Sequence, residues 1–452
     1  MISAMRSCTR VSRSLKTAEM SGETYSERLC TAEEAVRSVK SGDRVYVGST
    51  SSLAYKLCDA LAAREDELED VRIGCSQFRR PSALMDPGSR AFRFCSYFMG
   101  TEERASHDRG SGEFSSIHLS QIDVWCRETL RPNVAFLEVS PPDSEGYMSF
   151  GATGVALHRR ICELADTVIL QVNRNVPYTF GEENRIHFSE ASCIVEADDT
   201  LETVGELQLD ETVRAISAHI LPLIPDGATI QLGLGGVANA VGYGLREKND
   251  LGIHSEMMSD SMMHLMKAGN VNNRRKSFMP GRSVAGFAFG SEELYRFLDR
   301  NEDMYFLPFR RVNDPAVIAQ NDRMISINTA MCVDLFGQVS SESLGFRQYS
   351  ATGGQLDFVR GAQNAKDGKS FIAISSTQLS RSRGRVSKIV PCFEPGTVVT
   401  TPRSDVQYVA TEYGCVNLKP LSMKDRVRAM IGLAHPDFRE ELGDRAREAG
   451  IL

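Results

Sequence analysis

PDGATIQLGLGGVANAVGYGLREKNDLGIHSEM, residues 225–257, reads as a turn, a strand, a glycine loop, a helix and a second strand. Pro225-Asp226-Gly227 is turn chemistry, with a fixed φ followed by a residue free to take positive φ. Residues 228–232 form an apolar strand, 233–236 a glycine loop, 237–246 a helix and 251–254 another strand. Two strands joined through a helix are the unit of a parallel sheet. The charge-free run 227–245 is long enough to raise a membrane span. Its six glycines, with Gln231 and Asn239, are wrong for a lipid-facing helix, and the reading is of a soluble chain.

The same order occurs earlier in the chain. Ser41-Gly42-Asp43 precedes a strand over 43–48, which closes on Gly48. Before it, Thr31 with Glu34 three residues later is a helix N-cap pair. Residues 55–63 read as helix, and 71–75, 134–139 and 167–172 as strands. After the acidic region 196–210, residues 211–223 read as helix. The expectation is an α/β protein of two tandem, related parallel-sheet domains, 20–205 and 206–452. Residues 1–19, with Arg6, Arg10, Arg13 and Lys16 and no acid before Glu19, resemble a transit peptide or an extension ahead of a start at Met20. The compartment expected is the cytoplasm, or the mitochondrion if that segment is a leader.

The 452 residues carry 52 Lys+Arg and 59 Asp+Glu, a net charge of -7, so nucleic acid is a poor partner. No membrane partner is expected. The 11 cysteines are scattered, with no C-x-x-C pair, which suits a reducing compartment and offers no thiolate zinc site. The histidines form no H-E-x-x-H, and His254 and His435 read as structural. Trp125 reads as core or interface. Neither a G-x-S-x-G elbow nor a Walker-type loop is present.

Gly233 to Ala238 fits G-x-G-x-x-[GA] between strand and helix, and Glu256 stands where a dinucleotide site places its ribose acid. A nicotinamide site is therefore open on these residues, although half the chain precedes the motif. ATGGQLDF, 351–358, sets Gly353 and Gly354 before a helix, where backbone N–H groups can face an anion or serve only a tight turn. NTAMCVDLFGQ, 328–338, reads as one apolar strand with polar ends. Residues 396–403 and 411–414 read as strand-and-turn punctuation.

Taken in order, these segments resemble the acetyl-CoA hydrolase/transferase family of class I CoA-transferases. The resemblance runs through TAEEAVRSVKSGDRV (31–45), SPPDSEGY (140–147), VNRNVP (172–177), Gly181, QLGLGG (231–236), LGIHSEM (251–257), GGQLDFVRGA (353–362), TEYG (411–414) and AHPDFREEL (434–442). The chain departs from it at Ala238, where Pro is usual, and at Ser255, where Thr is frequent. The resemblance implies that Glu256 is the nucleophile, transferring CoA from a short-chain acyl-CoA to a carboxylic acid through a glutamyl-CoA thioester. Acyl-CoA hydrolysis at the same site is the alternative, and a non-catalytic CoA-binding protein is a further one. Gly353 and Gly354 are expected oxyanion donors. Gln231, Gly233, Leu234, Gly235, Gly236, Val237, Gly353, Gly354, Gln355 and Lys388 are the expected CoA-binding residues, Lys388 being read in the first place as a solvated surface lysine that could meet a CoA phosphate. No metal or permanent cofactor is expected, CoA serving as substrate. A homodimer or homotetramer is what the resemblance implies. A carboxylate of ordinary pKa, about 4.3, needs no assistance to ionise at pH 7.

Overall fold

The computed structural model describes residues 24–205, 210–233, 235–380, 382 and 384–452; the expected leader 1–19 and candidate Leu234 lie outside the described residues. The first sheet is built from β1 (Arg44–Ser49), β2 (Val71–Ser76), β3 (Phe92–Ser96), β4 (Glu113–Phe114), β5 (Val134–Val139), β6 (Thr167–Asn173) and β7 (Cys193–Ala197). Its order is β4-β3-β2-β1-β5-β6-β7, and every pairing is parallel. Such strands are covered on both faces and so read as continuous apolar runs; all six residues of β5 are buried.

The second sheet repeats the plan. It comprises β8 (Thr229–Leu232), β9 (Gly252–Met258), β10 (Ser283–Ala288), β11 (Met304–Phe306), β12 (Met324–Thr329), β13 (Lys369–Ala373), β14 (Tyr408–Thr411) and β15 (Gly414–Asn417). The order is β11-β10-β9-β8-β12-β13-β14-β15. Only the terminal β14–β15 hairpin is antiparallel. Counted from its own first strand, each sheet runs fourth, third, second, first, fifth, sixth, seventh, and the second adds an eighth. In both, the order reverses at the first strand, and the carboxyl ends beside such a reversal form a ligand crevice in open α/β sheets. Residues of both sheets share one apolar cluster, in which Tyr97, Leu137, Phe150 and Met257, Phe287, Phe309 all lie.

Local signals account for the boundaries. Thr31 and Glu34 exchange hydrogen bonds of 2.9 and 3.2 Å as a capping box for helix Ala32–Val36. The glycine loop feeds helix Gly236–Gly244, closed by the 3-10 turn Leu245–Glu247. Trp125 is fully buried, and His435 caps helix Pro436–Glu448 by accepting from the Asp437 N–H. Residues 328–338 are not one strand. β12 ends at Thr329, and Cys332–Asp334 belongs to a separate small sheet. The Asp334 carboxylate accepts from the backbone N–H of Phe336 and of Gln338, which folds the chain back at the polar end. Among the described residues, no helix is long and apolar enough to cross a membrane.

One buried acid in β5 governs a stability prediction. Glu138 accepts from Gln171 Nε2 and Asn173 Nδ2, each at 3.0 Å. Burial pushes its carboxyl up to about 8, with the Asp199 charge adding to the rise. The folded pKa lies above the unfolded one, so the unfolded chain releases this proton first. The stabilising contribution is complete at low pH and is lost as pH rises toward 8. Glu138→Gln, neutral at every pH, is therefore expected to flatten the fall of melting temperature between about pH 5 and 8, measured by calorimetry on both proteins.

Candidate active site

β9 carries GIHSEMM, and strand alternation sorts its side chains. His254 and Glu256 share one face; Met257 takes the other. His254 is fully buried. Its Nε2 lies 2.9 Å from the Val312 carbonyl and its Nδ1 3.1 Å from Asn321 Nδ2. Burial holds its pKa down at about 3, with Lys276 adding to the drop. A neutral ring with the proton on Nε2 satisfies both contacts, donating to Val312 and accepting from Asn321. That bond fixes the end of helix Phe309–Val312, and the next residue, Asn313, donates from Nδ2 to Glu256 Oε2 at 2.7 Å.

Gly354 closes the other side of the carboxylate. Its backbone N–H donates to Glu256, and a Cβ at this position would overlap both the Glu256 carboxylate and the Asn313 amide. Gly353 holds φ +58, a left-handed conformation that glycine adopts without strain. The first sheet's connections buttress this turn. Leu119 N–H donates to the Gly353 carbonyl at 3.2 Å, and Ser120 donates from its backbone and its hydroxyl to Asp357 at 3.1 and 2.7 Å.

Glu256 is not an ordinary carboxylate. Burial pushes it up to about 7; the Asp357 charge adds to the rise, while the Asn313 amide and the Gly354 N–H oppose it. Ionisation at neutral pH is thus partial, in place of the complete ionisation expected of a free glutamate. The carboxylate looks into a small cavity of ≈ 30 Å³ walled by Tyr97, Phe98 and Leu119 from the first half and by Phe287 and Phe309 from the second.

The other candidates are distributed around this centre. Gly233 and Gly235 line a larger cavity of ≈ 200 Å³ with Met257, on the opposite face of β9. Gly235, at φ +129, and Gly236 begin helix Gly236–Gly244. Gln231 is buried in a reciprocal amide pair with Asn328, at 3.2 and 3.3 Å, so its side chain braces β8 against β12. Val237 is buried in the core. Gln355 donates to Thr401 Oγ1 at 3.0 Å. Lys388 is half-buried, its Nζ 3.4 Å from Ser375 Oγ. Burial lowers its pKa while Cys332 and Glu412 oppose the shift, so it is not a solvated surface lysine. Asn313 and Ser120 lie in no motif quoted above, and Asp357 sits within GGQLDFVRGA without a role, because their link to Glu256 is made only by folding.

The N-terminal domain of the acetyl-CoA hydrolase/transferase family matches residues 8–206, and its C-terminal domain residues 290–446. The 4-hydroxybutyrate coenzyme A transferase of Clostridium kluyveri is 39% identical over 427 residues, 93% of this chain and 97% of that one. The chain belongs to the acetyl-CoA hydrolase/transferase family. It is a CoA-transferase. The butyryl-CoA:acetate CoA-transferase of Anaerostipes caccae is 38% identical over 95% of this chain and 98% of its own. RipA from Yersinia pestis superimposes with a TM-score of 0.89 at 37% identity, over 95% of this chain and 99% of that structure. The nicotinamide alternative for the glycine loop falls with this membership. Geometry agrees, since the acid that would hold a ribose is turned away from the cavity the loop lines.

Asn313 holds Glu256 Oε2 through its amide N–H. Asn313→Ala removes a donor that favours the ionised form. The acid limb of kcat/KM is expected to move to higher pH, with a fall in kcat of about 10–100-fold as the carboxylate loses its fixed position. A pH–rate profile of the variant checks both.

Proposed function

We propose that Glu256 is the nucleophile of a ping-pong exchange that moves CoA from a short-chain acyl-CoA to a short carboxylic acid. The observation that carries this reading is the Glu256 carboxylate, clamped by Asn313 and Gly354 at the mouth of a small, largely apolar cavity. The ionised carboxylate attacks the thioester carbonyl, the C–S bond breaks, and CoA leaves as thiolate, giving a mixed anhydride of Glu256 and the acyl group. The thiolate then attacks the glutamyl carbonyl, releasing the free acid and leaving a glutamyl-CoA thioester. In that second step the glutamyl oxygen becomes an oxyanion, and Asn313 Nδ2 and the Gly354 N–H already point at it. An acceptor carboxylate reverses the sequence. Bond exchange among thioester, anhydride and acid balances without a metal or redox group.

The glycine loop keeps its place as a CoA-binding element, through N–H groups at the start of helix Gly236–Gly244. The domain division near residue 205, a homodimer or homotetramer, and a cytoplasmic location complete the proposal. A donor–acceptor screen by mass spectrometry tests it: acetyl-CoA and butyryl-CoA against a panel of short acids. New thioesters appearing without net loss of CoA ester support transfer. Free CoA accumulating regardless of the acceptor would replace this reading with hydrolysis.

A further inference from the structure

We propose that Asp357 is a positioning residue for the nucleophile: held by Ser120 of the first half, it shares the Asn313 amide with Glu256 and turns the N–H groups of that amide toward the carboxylate that reacts. The inference rests on the reading of Glu256 as the nucleophile and adds a residue to its machinery. Asp357 lies in the first turn of helix Gln355–Asn364, and its side chain is buried. Its Oδ1 accepts from the Ser120 hydroxyl at 2.7 Å and its Oδ2 from the Ser120 N–H at 3.1 Å. It also accepts from the Asn313 amide. The same amide donates from Nδ2 to Glu256 Oε2 at 2.7 Å. One nitrogen with two hydrogens therefore stands between two carboxylates.

An amide has two unlike ends, and the surroundings decide which one faces the acids. Turned the other way, Asn313 would set the lone pairs of its oxygen against both carboxylates. In the orientation found, Asn313 is fully buried and its Oδ1 has no partner among the described residues. Leaving a buried acceptor unpaired costs free energy. The orientation is therefore held by what the nitrogen gains, which is two bonds to groups that carry charge. With Glu256 alone at that end, one such bond would stand against the orphaned oxygen. Asp357 supplies the second, and Ser120 fixes Asp357 with two donors from the opposite half. The two acids also ionise in order. Burial raises Asp357 to about 6; the Ser120 hydroxyl and N–H oppose the rise most, then the His118 charge and the Asn313 amide. Glu256 stands at about 7, chiefly through burial, with the Asp357 charge adding to the rise. The titratable groups acting on the pair are His118 and the two acids themselves. As pH rises Asp357 ionises first, so the brace is set before Glu256 becomes a nucleophile.

Two variants and a double-mutant cycle test this, read as pH–rate profiles of CoA transfer. Asp357→Asn keeps the volume and can still bond Ser120, but it removes the like charge. The acid limb of kcat/KM is expected to move to lower pH by about one pH unit, opposite in direction to the shift expected of Asn313→Ala. A residue that merely filled space would leave the limb in place. Asp357→Ala removes the brace and is expected to lower the plateau kcat, measured well above the limb, by about tenfold as the carboxylate loses its fixed position. In the Asn313→Ala background that loss should shrink to within about twofold, because a residue that acts through Asn313 has nothing left to hold. An acid limb that Asp357→Asn does not lower, or losses that multiply in the double variant, would overturn the role of Asp357 while leaving the nucleophile in place. A Glu256→Gln variant of near-normal rate would overturn the nucleophile reading instead.

Discussion

Glu256→Gln is expected to lower CoA transfer by about 10⁴–10⁶-fold, the scale on which losing a covalent nucleophile acts, while leaving the melting temperature within a few degrees. The amide keeps the volume of the side chain and can still accept from Asn313, so the fold is spared. It lacks the charge that makes the oxygen a nucleophile. Glu256→Asp keeps the charge and withdraws it by one methylene. About 1 Å of misplacement costs about 100-fold, so this variant is expected to fall between the two. Incubating the wild type with acyl-CoA and no acceptor, then treating with borohydride, should reduce the glutamyl thioester to an alcohol on the peptide holding residues 254–257. A Gln variant of near-normal rate with an unmodified peptide would place the nucleophile elsewhere.

The pH dependence follows from the same residue. Glu256 is held up at about 7 by burial, and in the proposed exchange only its ionised form attacks. A raised carboxylate pKa means that activity is retained above about 7 and lost as pH falls, by about tenfold per unit once well below it. An acid limb near pH 4.5 would show that the carboxylate is ionised before substrate arrives and that its burial is relieved in solution.

The parts of this molecule that are local in sequence could be read from the sequence. The strands over 134–139 and 167–172 are unbroken apolar runs because both faces of a parallel sheet are covered, and they fall where β5 and β6 lie. The capping pair Thr31–Glu34 and the turn at Gly227 announce themselves through side-chain chemistry and φ. The strand read into 328–338 failed because hydrophobicity does not record where a chain leaves a sheet; Asp334 does, but only once its two N–H partners are known. At the site, Glu256, Gly353 and Gly354 were candidates through resemblance to a family, and the fold sets Gly354 against the Glu256 carboxylate. Asn313 lies 57 residues from Glu256 and reaches it only because His254 pins the intervening helix. Tyr97, Phe98 and Leu119 come from the other half altogether, so their meeting with Glu256 is a property of the packed halves. The raised pKa of Glu256 has the same origin, since desolvation belongs to the fold.

Gly354→Ala separates geometry at the carboxylate from stability of the turn. Gly354 sits at φ -99, ψ 8, which alanine also adopts, so the backbone does not object. What objects is the site: the added methyl would occupy the space of the Glu256 carboxylate and the Asn313 amide. Either the carboxylate rotates out or the turn retreats with its N–H donor. Losing one oxyanion donor costs about 10²–10³ in kcat, and displacing the nucleophile about 10² more. The expected loss is therefore about 10⁴-fold or greater, with melting little changed. Gly353→Ala is the matched control. There the nearest atom to an added Cβ is Phe98 Cε2 at 3.4 Å, an ordinary contact, but φ +58 puts a non-glycine residue in the left-handed region. That costs about 1–2 kcal/mol of stability and should show chiefly in the melt. If the two variants lost activity and stability in the same proportion, the turn would be acting as a structural corner, and Gly354 would have no special relation to the carboxylate it faces.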